Sequence, residues 1–318
     1  MSAALGTAGK AAVNAAVNAG DSADFAAGPE AASWLEQLNR NGYCIVPGLL
    51  PRETMLDLDR EVAERFLDTP FSRGDFYGER TKRFGRLLMR AAVAPLLAEH
   101  PAILAIARAL LGPYCDTIQL NVMQAIEIHP GEIAQVPHRD QDMWHGPKGE
   151  IEYLLNVMWP LTPFREENGA TVIWPQSHGA AALAEPYDRA GHVAQCDPGD
   201  AILFLGSSLH AAGANRSTAP RRGIVAGYSL GWLKPYENLW LAYPPEAARH
   251  FSPNLAALAG YRQHRPNLGN VDGQCPSRLL GGDPGTPVAA TDALMPEQQA
   301  MVAQHAARER ARQGPPLP

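Results

Sequence analysis

The feature that most restricts the fold of this chain is a change of hydrophobic period near Asp116. Before it, apolar residues recur at helical spacing; after it, they recur in short, strand-like runs. Upstream, Pro29 opens a helical stretch with Trp34, Leu35 and Leu38 on one face and Gly42 as its stop. Tyr43–Val46 reads as a short strand. Pro51 begins a second helix striped by Met55, Leu58, Val62 and Phe66, and Pro101–Leu111 is a third, closed by Gly112. Downstream, Ile118, Leu120 and Val122 alternate with Thr117, Gln119 and Asn121, the pattern of a half-buried strand. Further strand-like runs occupy 152–159, 170–174, 200–205 and 223–230, separated by short turns bearing Gly, Pro or Asn. Helices followed by serial strands predict an α+β fold built on a double-stranded β-helix, a jelly-roll barrel with supporting N-terminal helices. With no internal repeat and no Gly/Ser linker, 29–318 reads as one domain with its barrel core at about 115–235. Residues 1–28, rich in Ala, Gly and Asn, read as a poorly ordered tail, and 295–312 as a late helix.

Bulk properties narrow the function. The formal net charge is −6 and the basic pairs Lys82-Arg83 and Arg221-Arg222 are too short for a phosphate-tracking patch, so no nucleic-acid partner is expected. No apolar run reaches the ~18 residues of a membrane span, and the N-terminal stretch lacks the apolar centre of a secretory signal. Its single basic residue, Lys10, argues against an organelle-targeting peptide. The four cysteines, Cys44, Cys115, Cys196 and Cys275, are dispersed with no CxxC spacing, which predicts free thiols and a cytoplasmic setting.

Chemistry concentrates at His138-Arg139-Asp140. On extended backbone, side chains two residues apart point the same way, so this imidazole and carboxylate can grip one metal ion together. A second histidine would complete a two-His, one-carboxylate face that leaves the opposite side open, the arrangement of non-haem Fe(II) oxygenases. Of ten histidines, His210 is best placed, after the turn and apolar strand of residues 198–206 and before a turn-rich link. Arg221 lies at the start of the next strand; if the two strands pair antiparallel, both side chains reach one pocket. A guanidinium there presents a fork matched to a carboxylate, and once buried it needs an anionic partner. Strand alternation lets only one of Arg221 and Arg222 face inward.

Several ordered blocks resemble the phytanoyl-CoA dioxygenase superfamily of Fe(II)- and 2-oxoglutarate-dependent oxygenases. They are His138-x-Asp140; Met158-Trp159-Pro160 through Thr162-Pro163-Phe164 to Glu167-Asn168-Gly169-Ala170-Thr171; Pro175-Gln176-Ser177-His178; Gly199-Asp200 to His210, Asn215 and Arg221; and Gly231-Trp232-Leu233-Lys234 before Glu237-Asn238. The resemblance implies that His138, Asp140 and His210 ligate iron, that Arg221 binds the distal carboxylate of 2-oxoglutarate, and that Thr171 and Gln135 are further cofactor contacts. Arg80-Thr81-Lys82-Arg83-Phe84 is similar to a block of natural-product-tailoring members in which the Arg matching Arg83 reaches the cofactor, pointing toward secondary metabolism. Related halogenases carry a small residue where this chain has Asp140, so the resemblance implies hydroxylation or another oxidation. The implied reaction consumes O₂ and converts 2-oxoglutarate to succinate and CO₂ while oxidising a small organic metabolite. Some relatives cover a neighbour's active site with segments like the one after Gly269, which gives a homodimer as the expected assembly.

On residue type alone, Thr171 reads as strand surface, Gln135 as a loop amide and Arg83 as a solvated base. Trp144, Trp232 and Tyr236 are candidates for a substrate pocket but read first as core aromatics; Asp142 and His145 are rival ligands that read instead as residues just outside the metal shell or on the substrate side. The competing function is a cupin-like metal-dependent isomerase or hydrolase that does not use 2-oxoglutarate. Such an enzyme has no need for an inward-facing Arg221.

Overall fold

The structure is a computed structural model that describes residues 29–184, 188–281 and 286–313. The expected tail at 1–28 lies outside the described residues.

Helix α1 (Pro29–Asn41) leads into strand β1 (Tyr43–Val46), and helix α2 (Arg52–Asp68) into strand β2 (Thr81–Phe84). Helices α3 (Ala94–Ala98) and α4 (Pro101–Leu111) precede the remaining strands: β3 (Ile118–Ile128), β4 (Leu154–Pro160), β5 (Thr171–Ile173), β6 (His192–Val193), β7 (Ala201–Leu205), β8 (His210–Ala212) and β9 (Arg221–Leu230). Six strands form an antiparallel sheet in the order β1-β7-β4-β9-β3-β2, and three form a second in the order β6-β5-β8. The segment leading to His138 extends the small sheet: Gln135 N–H donates to Ala212 O at 2.9 Å, and His138 and His210 exchange backbone hydrogen bonds of 3.0 Å each. The expected helix at 295–312 is present as Pro296–Gln313.

Strand alternation divides the large sheet between two apolar clusters. Leu155, Val157 and Trp159 of β4 and Ile224, Ala226 and Tyr228 of β9 face the helical layer, packing with Met55, Leu58, Val62 and Phe66 of α2 and with Ile103, Ile106 and Ala107 of α4. The other face, with Met158, Ile126 and Phe204, packs toward Phe164 and Ile173. Burying both faces explains why the strands are almost uniformly apolar. The segment Ala94–Tyr114 is long and apolar enough to cross a membrane by length and composition alone. Here it is broken before Pro101, and its apolar residues Leu97, Ile103 and Leu111 are fully buried in the core.

Two expectations need correction. β3 is buried on both faces rather than half-buried, and its apolar residues do not share one face. A bulge between Leu120 and Val122 inserts Asn121 against β9 and reverses the alternation. Ile118 and Leu120 therefore join the helix-side core while Val122 lines the cavity. The strands carrying His210 and Arg221 do not pair either. His210 opens β8 opposite Ile173, whereas Arg221 opens β9 opposite Ile128, so the two side chains meet across the gap between sheets. Turn signals mark where a strand ends but not which sheet it joins.

Gly42 ties the helical layer to the strand that delivers His210. Its φ of +81° ends α1, and its carbonyl accepts hydrogen bonds from Leu205 N at 2.9 Å and Ser208 Oγ at 2.8 Å. A Cβ there would stand 2.7 Å from His178 Nδ1. Gly42→Ala is expected to destabilise the fold by about 1–2 kcal/mol from the left-handed backbone alone, with the steric clash in addition. The measurement is the shift in urea midpoint.

Candidate metal and cofactor site

A cavity between the two sheets is lined by His138, Asp140, His210, Gln135 and Thr171 together with Arg83 and Arg221. The ligand atoms of His138, Asp140 and His210 all lie within 4.8 Å of one another. His138 Nε2 is 3.3 Å from one Asp140 oxygen, and His210 Nε2 is 3.6 Å from the other. Arg139 between the first two is extended, with φ −118° and ψ 124°, so the expected same-side geometry holds before Asp140 starts a 3-10 turn.

The ring nitrogens facing away from the cluster are already engaged. His138 Nδ1 hydrogen-bonds to Val136 O at 3.0 Å, and His210 Nδ1 to Ser208 O at 3.1 Å. A carbonyl only accepts, so each Nδ1 carries the proton and each Nε2 lone pair is free for a metal. Rings fix the planes: Phe204 lies 4.6 Å from His210 and Phe76 lies 4.8 Å from His138. Asn156 Nδ2 donates to Asp140 Oδ2 at 2.9 Å. Burial would raise the Asp140 carboxyl, but His210, His138 and Asn156 outweigh it and hold it down at about 2. Burial lowers His210, favouring the neutral ligand form.

Across the cavity, Arg221 is only 2% exposed. Its Nε and Nη2 donate to the Gly169 carbonyl, and its guanidinium lies 4.2 Å from the Phe164 ring centre. Among the described residues no carboxylate pairs with it, and burial followed by repulsion from Arg83 pulls it down to about 9. Arg83 is not the solvated base its residue type suggests. Its Nη1 reaches Gln124 Oε1 at 3.3 Å, its buried Nε has no partner, and burial lowers it too. Two desolvated cations facing one cavity fit a dianion. Arg222 points to the other face, into Glu127 at 2.6 Å and Asp59 at 3.4 Å, so strand parity assigns the inward position to Arg221. The two-imidazole, one-carboxylate set fits Fe(II), and the two arginines line the same cavity.

Thr171 and Gln135 flank Ala212 and line the same cavity. Gln135 donates to Phe76 O at 3.0 Å and accepts from Ala212 N at 3.2 Å. Asp142 and His145 are exposed and do not line the cavity, nor do Trp144 and Trp232; Tyr236 does. Sequence reasoning missed Asn156, whose signal was a lone amide inside the apolar run Leu154-Leu155-Asn156-Val157-Met158. It also missed Glu152. The Ser207 hydroxyl and its N–H both donate to this carboxylate, while Ser207 O accepts from Arg139 Nε at 3.0 Å. Glu152 thus holds the turn whose next carbonyl, that of Ser208, sets the His210 tautomer.

Two outcomes follow from these contacts. Asn156→Ala is expected to weaken metal binding by about 10–100-fold, read by calorimetric titration with a divalent ion, because Asp140 loses its orienting donor. Burial pushes Glu152 from an ordinary 4.5 up to about 7. Across that window the folded protein keeps a proton that the unfolded chain releases, so its contribution to stability falls as pH rises. Glu152→Gln removes this dependence: its stability relative to wild type should climb by about 1–3 kcal/mol between pH 4.5 and 8 in urea melts.

A sequence profile described as phytanoyl-CoA dioxygenase (PhyH) matches residues 38–223. The dioxygenase FrzG of Cladobotryum sp is 31% identical over 279 residues, covering 77% of this chain and 89% of that protein. The multifunctional dioxygenase ausE of Penicillium brasilianum is 29% identical, over 70% of this chain and 80% of its own. Among solved structures, the non-haem α-ketoglutarate-dependent epimerase SnoN from nogalamycin biosynthesis superposes with a TM-score of 0.53 at 22% identity, over 65% of this chain and 86% of its own. HygX from Streptomyces hygroscopicus, with nickel and 2-oxoglutarate bound, gives 0.51 at 14% identity, over 64% and 89%. These likenesses bear out the jelly-roll expectation. The profile match and the 31% identity to FrzG join the donor geometry in one conclusion: this chain belongs to the phytanoyl-CoA dioxygenase family and is a 2-oxoglutarate-dependent non-haem iron dioxygenase.

Proposed function

We propose that the enzyme hydroxylates an unactivated C–H bond of a small organic metabolite in secondary metabolism. In this reading His138, Asp140 and His210 hold Fe(II), and Arg221 holds the distal carboxylate of 2-oxoglutarate, with Arg83, Gln135 and Thr171 as further contacts. The reaction balances as substrate R–H plus 2-oxoglutarate plus O₂ giving R–OH, succinate and CO₂. The bound iron and keto acid supply the oxidising power. The protein orients the reactants and keeps water from them. The two Nδ1–carbonyl bonds fix the imidazoles, Asn156 fixes the carboxylate, and the apolar lining around Met158, Val225 and Ile126 excludes solvent. Asp140 occupies the place that a halide needs in related halogenases, which favours oxygen transfer over halogenation. A cytoplasmic homodimer acting without nucleic acid or membrane belongs to the same proposal.

The observation that carries this reading is the buried Arg221 with no carboxylate of its own among the described residues. An isomerase or hydrolase working through the metal alone would keep a desolvated cation beside its metal to no purpose. Arg221→Met fills similar space without a charge, so the fold should persist. Its KM for 2-oxoglutarate should rise on the order of a hundredfold, while Fe(II) affinity without 2-oxoglutarate changes little. Oxygen-18 gas then tests the outcome. Hydroxylation places one labelled atom in succinate and one in the product, whereas an unlabelled product shows a different oxidation.

A further inference from the structure

The cavity holds a second polar group that neither metal nor cofactor uses. Tyr77 and Tyr236 line it from two separate loops, and their hydroxyls are in hydrogen-bond contact. At 38% and 45% exposed, they stand at its mouth. Both are firmly mounted. The β3 bulge residue Asn121, 1% exposed, accepts from Tyr236 N through its side chain at 2.8 Å and from Glu237 N through its carbonyl at 2.9 Å. Glu237 in turn accepts from Arg86 N at 2.7 Å and from Met123 N at 3.3 Å. Tyr77 is held by its neighbour Phe76, packed edge-on to His138, and by the Arg83 guanidinium 5.3 Å from its own ring centre. The pair therefore sits beside the metal ligands at a fixed position.

A phenol offers one donor hydrogen. When two hydroxyls bond to each other, one hydrogen is used between them and the second remains free. The lining beside the pair is mixed: Arg83 and Asn121 are polar and already engaged by the Tyr77 ring and the Tyr236 N–H, while Val122, Met143 and Met158 are apolar. An oxygen acceptor on an entering molecule is the group that satisfies that hydrogen without desolvating a cation or an anion.

We infer that the Tyr77–Tyr236 pair is the recognition element for the organic substrate. It donates a hydrogen bond to a carbonyl or hydroxyl oxygen on an otherwise apolar molecule and so fixes which carbon faces His138, Asp140 and His210. The inference rests on the proposed oxidation of a small organic metabolite in this cavity, and it adds the chemical class and the residues that select it.

The test uses the full chain loaded with Zn(II) in place of Fe(II) and with 2-oxoglutarate, so that nothing turns over. Camphor, a compact bicyclic ketone, and its parent hydrocarbon bornane are titrated and followed by ligand-detected NMR. Wild type should bind camphor about tenfold more tightly than bornane, the worth of one hydrogen bond. Tyr77→Phe with Tyr236→Phe should abolish that preference while the Kd for 2-oxoglutarate stays within about twofold, which shows that the fold and the cofactor side are intact. Equal binding of ketone and hydrocarbon by wild type, binding of neither, or a preference that survives in the double variant each overturns the inference. Because this readout involves no oxidation, such failure leaves the hydroxylase reading standing. A ketone preference combined with unlabelled product in the oxygen-18 experiment would sink the hydroxylase reading alone.

Discussion

The pair of backbone hydrogen bonds between His138 and His210 is the contact on which the site depends. Each donates to the other at 3.0 Å, an isolated antiparallel bridge that docks the segment before Asp140 onto β8. Residues far apart in sequence thereby acquire adjacent Cα positions, and their imidazoles come to 4.4 Å between ring centres. Everything nearby reinforces this pairing. Gln135 donates its N–H to Ala212 O and accepts from Ala212 N through its side chain, and Arg139 is tied to the carbonyls of Ser207 and Ser177 at 3.0 Å each. A side-chain cluster hung on paired backbone keeps its geometry more closely than one hung on independent loops, and metal ligation needs that precision.

The large sheet performs the matching task from the opposite wall, and strand parity is its instrument. Adjacent arginines open β9. Arg222 is committed to the outer face by Glu127 and Asp59, so Arg221 turns inward. Glu127 belongs to β3, directly opposite Arg222, which makes that ion pair a register lock as well. Further along the same ladder, the bulge at Asn121 reverses which residues face the cavity and plants the loop bearing Tyr236. One strand pair thus places Arg221 at one end and the loop of Tyr236 at the other, both lining the cavity.

Much of this was legible in the residues. Helical stripes in α2 and α4 and strong apolar runs in β4, β7 and β9 have periods that tertiary context did not override, and His138, Asp140 and His210 stand together as expected. The failures have physical causes. Alternation across Ile118, Leu120 and Val122 suggested one face, but a single inserted residue costs little in sequence and inverts every position beyond it. His210 and Arg221 share a pocket by lying on different sheets, because a short turn can either continue a sheet or cross between sheets. Tyr236 fits pocket or core by residue type, and burial preference alone favours core because it ignores where a loop is anchored. Glu152 and Asn156 act through other residues, and no spacing rule reports on a carboxylate that holds a turn.

The charges explain why metal and keto acid belong to one site. Two desolvated guanidiniums, Arg83 and Arg221, share the cavity with the Asp140 carboxylate, and Arg83 adds to burial in pulling Arg221 down. A divalent cation alone adds positive charge to a cavity that already has an excess of it. A dianion alone satisfies the arginines but lies near Asp140. Together the two bring no net charge, the cation beside the carboxylate and the dianion's far end beside the guanidiniums. Each therefore relieves the repulsion that the other would meet, and by linkage each tightens the other's binding. Among the described residues no salt bridge engages either guanidinium, and a dianion is the partner that the proposed reading supplies.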